Sequence, residues 1–200
     1  MVTHSMTLNE RMKAKKIILA SNSPRRRELL AGLDIDFEVK VLPDIDESFP
    51  DNLSVEDVPQ FIAKAKADAY LDMIDGETLV ITADTVVVLD DEILGKPADD
   101  DDARRMLHKL SGRTHQVITG VCLTALDRQS VFAVKTDVTF KAFTEDEIEY
   151  YVSRYHPLDK AGAYGIQEWI GHIGVTALNG SYFNVMGLPV QRIYTEMQNF

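Results

Sequence analysis

The sequence predicts an α/β fold of the mixed α+β kind, in which a long twisted mixed sheet is flanked by helices and two lobes surround a central cleft. The predicted elements follow the order β-α-β-α-β, then a hairpin, then helices. Runs rich in β-branched residues, such as "TLVITADTVVVLD", alternate with amphipathic stretches such as "SVEDVPQFIAKAKADAYLDMIDG". A chain of 200 residues is long enough for one sizeable domain or for two small lobes that share a core.

The first strand and helix carry clear local signals. The apolar run 17–20 predicts a buried strand. Ser23 suits the N-cap of a helix, Pro24 suits its first position and Gly32 suits its end. The alternating stretch "DFEVKVL" then predicts a second strand.

A long helix and a third strand follow. The helix is predicted to begin with a capping-box-like pattern at Ser54 and Asp57, and Gly76 follows its end. The stretch "TLVITADTVVVLD" is next, and residues 83–85 are expected to interrupt this strand in its middle. The residues "DDE" then turn the chain into "ILGKP".

The second half of the chain predicts one helix, a long hairpin and two more helices. In "DDDDARRMLHKLSGR" the acids fall in the first turn of the helix, and His108 and Lys109 fall in its last turn. The stretch "THQVITGVCLTALDRQSVFAVKTDVTFKAF" predicts two strands joined at "DRQ". Thr144 and Glu147 form a capping-box pattern for the next helix, and "GLPVQRIYTEMQNF" predicts a closing helix.

The charge balance limits the partners that this chain is expected to have. It carries 32 acidic and 21 basic residues, for a net charge of −11. That excess argues against a general nucleic-acid-binding protein, which needs a broad basic surface, but not against a small anionic ligand held by a local basic cluster and a metal ion. No apolar stretch approaches the roughly 18–20 residues of a membrane span, so we expect neither nucleic acid nor a membrane as a partner.

The polar start of the chain and its cysteine content favour a cytoplasmic protein. The stretch "MVTHSMTLNERMKAKK" has no apolar core of the secretory kind. Residues 1–15 are expected to form an N-terminal extension prone to fraying, ahead of a single domain over residues 16–200. Cys122 has no partner for an internal disulfide, and its apolar neighbours favour a buried core thiol over a nucleophile.

Several familiar nucleotide and metal motifs are absent from the sequence. "GKP" at 95–97 is not a P-loop, because Asp90 stands where the first glycine is needed and Pro97 replaces the serine or threonine. There is no G-x-G-x-x-G, H-E-x-x-H or G-x-S-x-G pattern, and the histidines lack the spacing of a zinc site. The remaining candidates for a functional site are therefore polar residues at the ends of strands and helices.

Three consecutive arginines follow the predicted start of the first helix, where the backbone is already partly positive. Cations in that position cost energy unless a strongly negative ligand lies against them. We therefore predict a phosphate site in which Ser21, Ser23 and the first N–H groups of the helix cradle the phosphate and Arg25 and Arg26 clamp its oxygens. The alternative is that the arginines are simply solvated.

Asp84 is the candidate for catalysis, because it interrupts an apolar strand and ligand sites in open α/β sheets lie at the carboxyl ends of strands. A carboxylate there can hold Mg²⁺, activate water, or do both, and the alternative is a turn-capping aspartate. Asp44, Asp46 and Glu47 in "LPDIDES" supply a second acidic group or else form a solvated loop. Asp46, Glu47 and Asp84 are therefore the candidate metal ligands.

The remaining candidates are weaker. Lys64, Lys96 and Lys160 have the reach to contact a phosphate, although surface lysines are common. Tyr164 and Trp169 have rings that can stack on a base, but packing is the default for both. The acidic run 99–102 fits charge complementation at a helix N-terminus better than metal binding.

Six segments resemble, in the same order, the Maf family of nucleoside triphosphate pyrophosphatases: "LASNSPRRRELL", "FIAKAKADA", "ITADTVVVLDDEILGKP", "LSGRTHQVITGVCL", "PLDKAGAYGIQ" and "GSYFNVMGLPV". The resemblance covers nearly the full chain. It implies cleavage of a nucleoside triphosphate to the monophosphate and diphosphate with a divalent metal, Mg²⁺ or Mn²⁺. It also implies a homodimer and makes Asp84 the proton acceptor.

The resemblance further implies which residues select the base. Arg25, Thr85 and Gln167 fall on the family positions for base selection, and the "GIQ" form resembles the branch that prefers dTTP and UTP over 7-methyl-GTP. Lys64 and Lys96 match family lysines near the phosphates.

Departures from the family pattern and two rival functions keep alternatives open. Glu168 and Trp169 stand where the family often has glycine and a small residue, which affects the shape of the base pocket. One rival is a house-cleaning pyrophosphatase that acts on modified nucleotides. The other is a non-catalytic nucleotide sensor that regulates septum formation, a process with which the family is associated. Asp84, with Lys64 and Lys96, argues against the sensor, which needs no water-activating group.

Overall fold

The computed structural model describes residues 7–200, which form two compact units, in agreement with the two lobes predicted. The first unit contains the described residues up to Asp84, together with Gly120–Ala133 and Gly187–Phe200. The second contains Thr85–Thr119 and Val134–Met186. Among these described residues, no helix is long and apolar enough to cross a membrane.

The strands form one seven-stranded mixed sheet, which confirms the predicted fold class. They are β1 (Lys16–Leu19), β2 (Glu38–Val39), β3 (Thr78–Leu89), β4 (Glu92–Leu94), β5 (Thr114–Thr124), β6 (Gln129–Phe140) and β7 (Val175–Asn179). The order is β2-β1-β3-β5-β6-β7, with β4 paired to β3 off this path. β1 is parallel to β2 and β3, whereas β4 is antiparallel to β3 and β7 is antiparallel to β6.

The helices are connected to these strands in a mixed order. They are α1 (Leu8–Met12), α2 (Pro24–Ala31), α3 (Val58–Asp68), α4 (Asp100–Leu110), α5 (Glu145–Tyr155), α6 (Trp169–Gly174), α7 (Tyr182–Met186) and α8 (Val190–Met197). Two 3-10 turns lie at Leu71–Met73 and Ala161–Ala163.

The predicted N-terminal extension of residues 1–15 includes the short helix α1. Thr7 caps this helix through a capping box with Glu10, and Leu8 and Met12 are buried. The remainder of the predicted extension, residues 1–6, lies outside the described residues.

The caps predicted at Ser23 and Thr144 are confirmed, and three helices begin where a side-chain oxygen accepts a backbone N–H. The Ser23 hydroxyl caps α2 by accepting the N–H of Arg26. Asp99 caps α4, whose first turn carries the other acids of the run 99–102, as charge complementation requires. Thr144 caps α5 in a complete capping box.

The predicted interruption of β3 at residues 83–85 is wrong, since the strand runs unbroken from Thr78 to Leu89. Its polar side chains find partners beside the strand. The Thr82 hydroxyl donates to the Ala63 carbonyl at 2.7 Å, and the Thr85 hydroxyl lies 2.9 Å from that of Thr119. Because these hydroxyls form hydrogen bonds with residues outside β3, they do not interrupt the strand and its backbone stays extended.

The long helix predicted from Ser54 is also wrong in its extent. The Ser54 hydroxyl donates to the Asp57 carboxylate at 2.7 Å and accepts the N–H of Asp57 at 3.2 Å, so these residues form a turn of their own. α3 begins only at Val58 and ends at Asp68. The competing local hydrogen bonds explain the later start.

The second predicted strand is reduced to two exposed residues, Glu38 and Val39. Beyond them, the Tyr70 hydroxyl accepts the N–H of Leu42 at 3.0 Å and donates to the carbonyl of Lys40 at 2.9 Å. A buried side chain thus satisfies backbone groups that a longer strand would have paired. Three further elements, α6, β7 and α7, are not predicted by the sequence pattern, because they are short and lie in a glycine-containing stretch with weak periodicity.

A close approach of α3 to the sheet positions the candidate site. A Cβ built on Gly120 of β5 would lie 2.2 Å from the carbonyl carbon of Pro59, so only glycine fits there. The contact brings one face of α3 over β3, where Ala63 and Ala67 are fully buried. Cys122 is also fully buried beside them, as predicted for a core thiol.

Candidate active site

The loop that leads into α2 leaves the sheet beside Asp84. β1 and β3 are parallel and pair as far as Leu19 beside Ile81, and the N–H of Ala20 donates to the carbonyl of Ile81 at 3.0 Å. Asp84 therefore lies inside β3 but just beyond the carboxyl end of its neighbour, β1. This is the position where open α/β sheets bind ligands, although it is reached through a different strand from the one predicted.

Two serines shape this loop. The buried Ser21 hydroxyl accepts the N–H of Ser23 at 3.2 Å, and the Ser23 hydroxyl accepts the N–H of Arg26 at 3.4 Å. Each hydroxyl oxygen acts here as an acceptor, which leaves its proton able to donate to an anion. The predicted phosphate cradle thus has a preformed loop and suitable donors.

The three arginines of α2 differ in their surroundings. Arg26 donates from Nε to the Gly187 carbonyl at 2.8 Å and from Nη1 to the Ala83 carbonyl at 2.9 Å. Burial lowers the pKa of Arg26, and the charge of neighbouring Arg25 lowers it further, while Asp84 opposes the shift. Arg25 is half-buried and Arg27 is exposed.

Arg26 has a structural role beside the predicted phosphate clamp, which stays a prediction. Two of its nitrogens hold backbone carbonyls, one of them directly before Asp84 in the chain. Its guanidinium remains charged in any protein environment, so it also adds positive potential at Asp84.

The carboxylate of Asp84 forms an ion pair with Lys66, which was not among the predicted site residues. Lys66 Nζ lies 3.2 Å from Asp84 Oδ1 and 3.1 Å from Glu47 Oε1. The side chains of Lys66 and Asp84 are only 15% and 16% exposed, whereas Glu47 is 57% exposed. One buried ammonium thus bridges a buried carboxylate and an exposed one.

Burial raises the pKa of Asp84, and the nearby charge of Glu47 raises it further. The charges of Lys66 and Arg26 and the hydrogen bond from Lys66 act in the opposite direction without cancelling the effect of burial. A carboxylate with a raised pKa is a stronger base than one in water, which is the property expected of a general base.

Lys64, which was predicted to lie near the phosphates, has an exposed side chain that does not contact Asp84 in the structure, and its phosphate role stays a prediction. Its Nζ lies 2.6 Å from Asp68 Oδ2 one turn along α3, and both side chains are exposed. Lys66 belongs to the buried face of α3 that also carries Ile62, Ala63 and Ala67. The helical spacing of these apolar neighbours around Lys66 was the available signal for choosing it over Lys64.

Of the candidate metal ligands, Glu47 and Asp84 converge and Asp46 does not join them. Asp46 Oδ1 accepts the N–H of Ser48 at 2.8 Å, which lowers the pKa of Asp46. Asp46 also lines a groove of about 860 Å³ whose walls include Phe49, Phe61 and Asp68. Within residues 7–200 there is no group of three histidine, cysteine or acidic side chains that could enclose a metal.

The two converging carboxylates nevertheless fit a hard divalent cation. Glu47 and Asp84 direct oxygens to a common position, which Lys66 marks as favourable for positive charge. Mg²⁺ and Mn²⁺ prefer oxygen ligands, and Mg²⁺ typically uses one or two carboxylates and completes its shell with water and substrate phosphates. A fully protein-enclosed site is not required.

In the second unit, Thr85 is held in a short hydrogen-bonded chain. Its hydroxyl lies 2.9 Å from that of Thr119, which in turn donates to the Asn184 carbonyl at 3.3 Å. Asn184 is fully buried and donates to the Val117 carbonyl and the Thr136 hydroxyl. Successive strand residues face opposite sides of a sheet, so Thr85 does not share the side of β3 that Asp84 presents to Lys66.

Gln167 lies in the loop that leads into α6. Its Oε1 is buried and has no hydrogen-bond partner among the described residues. A buried amide oxygen without a partner is costly, so a ligand donor is the natural group to satisfy it.

Lys160, another predicted phosphate contact, is 9% exposed and lies between two carboxylates. Its Nζ is 2.7 Å from Asp159 Oδ1 and 3.2 Å from Glu168 Oε1. This ammonium therefore has two carboxylate partners within its own unit, and its phosphate role stays a prediction. Lys96 is exposed, and the described part of the chain shows no ion pair to it, so its ammonium is accessible to an anion.

The rings of Tyr164 and Trp169 pack against other side chains, as expected for both. Tyr164 is buried, and its hydroxyl lies 2.7 Å from His115 Nε2. Burial lowers the pKa of His115 to about 4, which leaves it neutral near pH 7. Trp169 packs against the ring of Tyr150 at a centroid distance of 4.7 Å.

Fold and site together define an α/β protein with a basic, carboxylate-containing site beside the end of a parallel strand. The chain belongs to the Maf-like protein family, whose model matches residues 16–200, and this confirms the predicted family. A protein of Phocaeicola vulgatus named dTTP/UTP pyrophosphatase is 59% identical over 189 residues, covering 94% of this chain and 98% of that protein. A Porphyromonas gingivalis protein with the same name is 53% identical over 193 residues, covering 96% and 97%.

Two solved structures support the fold. The Staphylococcus aureus Ham1 protein matches with a TM-score of 0.55 and 18% identity, covering 92% of this chain and 99% of that one. A HAM1 protein from Coxiella burnetii matches with a TM-score of 0.52 and 16% identity, covering 93% and 100%. At these identities the likeness concerns the fold alone.

Proposed function

We propose that this protein is a dTTP/UTP pyrophosphatase, which hydrolyses dTTP and UTP to the nucleoside monophosphate and diphosphate. Relatives that are 53–59% identical over almost the whole chain are named for this activity. The observation that carries the proposal to this chain is the buried Asp84 carboxylate, held beside Lys66 and Arg26 at the end of β1.

Asp84 takes the proton of the attacking water in this proposal. Its raised pKa makes it a stronger base, while the charges of Lys66 and Arg26 favour its ionised form. The proton then resides on Asp84 Oδ1 or Oδ2 while the water oxygen bonds to phosphorus and the anhydride bond between the α- and β-phosphates breaks. Activity therefore requires ionised Asp84 and falls as the pH drops through its pKa.

Cations balance the charge that develops on the diphosphate leaving group. The hydroxyls of Ser21 and Ser23 and the first N–H groups of α2 bind phosphate oxygens, with Arg25 adding charge at the same helix end. The family resemblance also assigns Lys96 to the lysines near the phosphates, and its ammonium is exposed. A divalent cation, Mg²⁺ or Mn²⁺, held by Glu47 and Asp84 would neutralise triphosphate charge when bound.

Gln167 reads the pyrimidine. An amide offers one acceptor and two donors, which match the N–H and the carbonyl of thymine or uracil. The buried, unpartnered Oε1 of Gln167 supports an acceptor role toward a base N–H. The family resemblance assigns Arg25 and Thr85 to base selection as well.

We place this activity in a homodimer in the cytoplasm. The family resemblance supports the dimer. Nucleoside triphosphates are made and consumed in the cytoplasm, where a single unpaired thiol such as Cys122 also stays reduced. Light scattering coupled to gel filtration measures the assembly directly.

The activity is tested by diphosphate release from dTTP, UTP, CTP, ATP, GTP and 7-methyl-GTP with Mg²⁺. We expect dTTP and UTP to give the highest kcat/KM. Preference for another nucleotide would contradict the pyrimidine assignment, and preference for modified pyrimidine triphosphates would favour the house-cleaning function. Tight binding of every nucleotide without turnover would favour the sensor.

Replacing Gln167 with Glu tests base reading with an isosteric side chain. The carboxylate accepts but cannot donate to the O4 carbonyl of uracil, whereas it can accept from the amino group of cytosine. We expect the ratio of kcat/KM for UTP over CTP to fall about tenfold. An unchanged ratio would remove Gln167 from base selection without touching the role of Asp84.

A further inference from the structure

We propose that Tyr151, Lys160 and Glu168 form a positioning cluster that holds the Gln167 amide in place and thereby sets the base preference of the enzyme. The proposal rests on the base-reading role proposed for Gln167. None of the three residues needs to touch the nucleotide, because the cluster acts on the loop that carries Gln167.

One tyrosine hydroxyl forms hydrogen bonds with residues on both sides of Gln167 in the chain. Tyr151 lies fully buried on α5, and its hydroxyl accepts the N–H of Gly165 at 3.1 Å and donates to Glu168 Oε2. The N–H of Glu168 also donates to the carbonyl of Gly165 at 3.0 Å. Burial is the main cause that raises the pKa of Tyr151, so the hydroxyl keeps the proton that it donates.

Lys160 fixes the other oxygen of the same carboxylate. Its Nζ lies 3.2 Å from Glu168 Oε1, while Oε2 accepts from Tyr151. The side chain of Glu168 is 19% exposed and that of Lys160 is 9% exposed, so water competes little for these bonds. A carboxylate bound at both oxygens cannot rotate freely, and the backbone that carries it is held accordingly.

The cluster and the Gln167 amide meet around Gly165. A Cβ built on Gly165 would lie 3.1 Å from Glu168 Cδ, 3.1 Å from Lys160 Cε and 3.2 Å from Gln167 Nε2. All three side chains therefore pack against the same bare Cα. A shift of the Glu168 or Lys160 side chain would give the Gln167 amide room to move. The buried Oε1 of Gln167 forms no hydrogen bond within residues 7–200 that would hold the amide in place.

The decisive variant is Tyr151→Phe, which keeps the ring and removes the hydroxyl. We expect the ratio of kcat/KM for UTP over CTP to fall about tenfold, mainly through a higher KM for UTP, with kcat changed by less than about threefold. Tyr155→Phe is the matched control, because Tyr155 stacks on Tyr151 from the same helix and no hydrogen bond of its hydroxyl is found among the described residues. Its ratio is expected to stay unchanged.

Glu168→Gln provides a second measurement that does not depend on the first variant folding. The amide can still accept from Tyr151 but loses the charge that faces Lys160, so we expect a smaller fall in the same ratio. Thermal unfolding of each variant separates a loss of folded protein from a change in the site. A smaller folded fraction lowers kcat for every nucleotide equally and leaves the ratio unmoved.

An unchanged ratio in both Tyr151→Phe and Glu168→Gln, whatever their stability, overturns the positioning role. If Gln167→Glu shifts the ratio and these variants do not, only this inference fails and base reading by Gln167 stands. If Gln167→Glu also leaves the ratio unchanged, base reading by Gln167 is refuted, and the positioning role of the cluster is refuted with it.

Discussion

Replacing Asp84 with Asn is expected to lower kcat on dTTP and UTP by about 10³-fold, because an amide of the same shape cannot accept the proton of the attacking water. Nucleotide binding is expected to change far less, since the serine loop, the start of α2 and Arg26 are untouched. Diphosphate release and equilibrium nucleotide binding, measured on the same preparation, separate the two effects.

Asp68→Asn is the matched control for this variant. Asp68 is an exposed carboxylate of the same unit that pairs with Lys64 on the surface of α3, so its removal should leave kcat unchanged. Full activity of Asp84→Asn would refute the general-base role. Loss of nucleotide binding together with activity would assign Asp84 to ligand or metal binding instead of proton transfer.

Replacing Lys66 with Met is expected to lower kcat/KM about 10²-fold near neutral pH, through loss of a cation in the site and through a change in the ionisation of Asp84. The charge and hydrogen bond of Lys66 lower the pKa of Asp84, while burial raises it. Without Lys66 the pKa of Asp84 rises further. The acid limb of the kcat/KM profile should therefore move to higher pH.

The comparison with Lys64→Met makes this prediction specific. Lys64 lies on the same helix two residues earlier, yet among residues 7–200 its ammonium pairs with the exposed Asp68 and not with Asp84. We expect a change of less than about twofold and an unmoved pH profile, as for other surface ion pairs. A larger loss of kcat/KM in Lys64→Met than in Lys66→Met would show that Lys64 is the lysine that acts in the site. An acid limb that stays in place in Lys66→Met would refute the electrostatic coupling of Lys66 to Asp84.

Several parts of the fold were predictable because short-range chemistry decides them. Helix starts at Ser23, Asp99 and Thr144 depend on a side-chain oxygen that reaches a backbone N–H within three residues. The hairpin of β5 and β6 follows from two long β-rich runs around a short turn. The family resemblance spread over six segments was likewise visible without coordinates, and the family match confirms it.

Other parts depend on groups that are distant in the chain. The polar residues of β3 predict a break unless one knows that Ala63 and Thr119 supply partners from outside the strand. β2 is short because the backbone after it hydrogen-bonds to the hydroxyl of Tyr70, which lies 28 residues away from Leu42 in the chain. Neither partner is indicated by local periodicity.

The sequence by itself determined the family and the mixed α/β class, and it singled out Asp84 as the candidate catalytic carboxylate. These depend on residue type and order along the chain. Only the tertiary structure decided that Lys66 rather than Lys64 meets Asp84, that two nitrogens of Arg26 bind carbonyls, and that Lys160 is paired with Glu168. Ion pairs and buried hydrogen bonds require distances of about 3 Å between groups that folding brings together, and a linear pattern specifies residue types but not those distances.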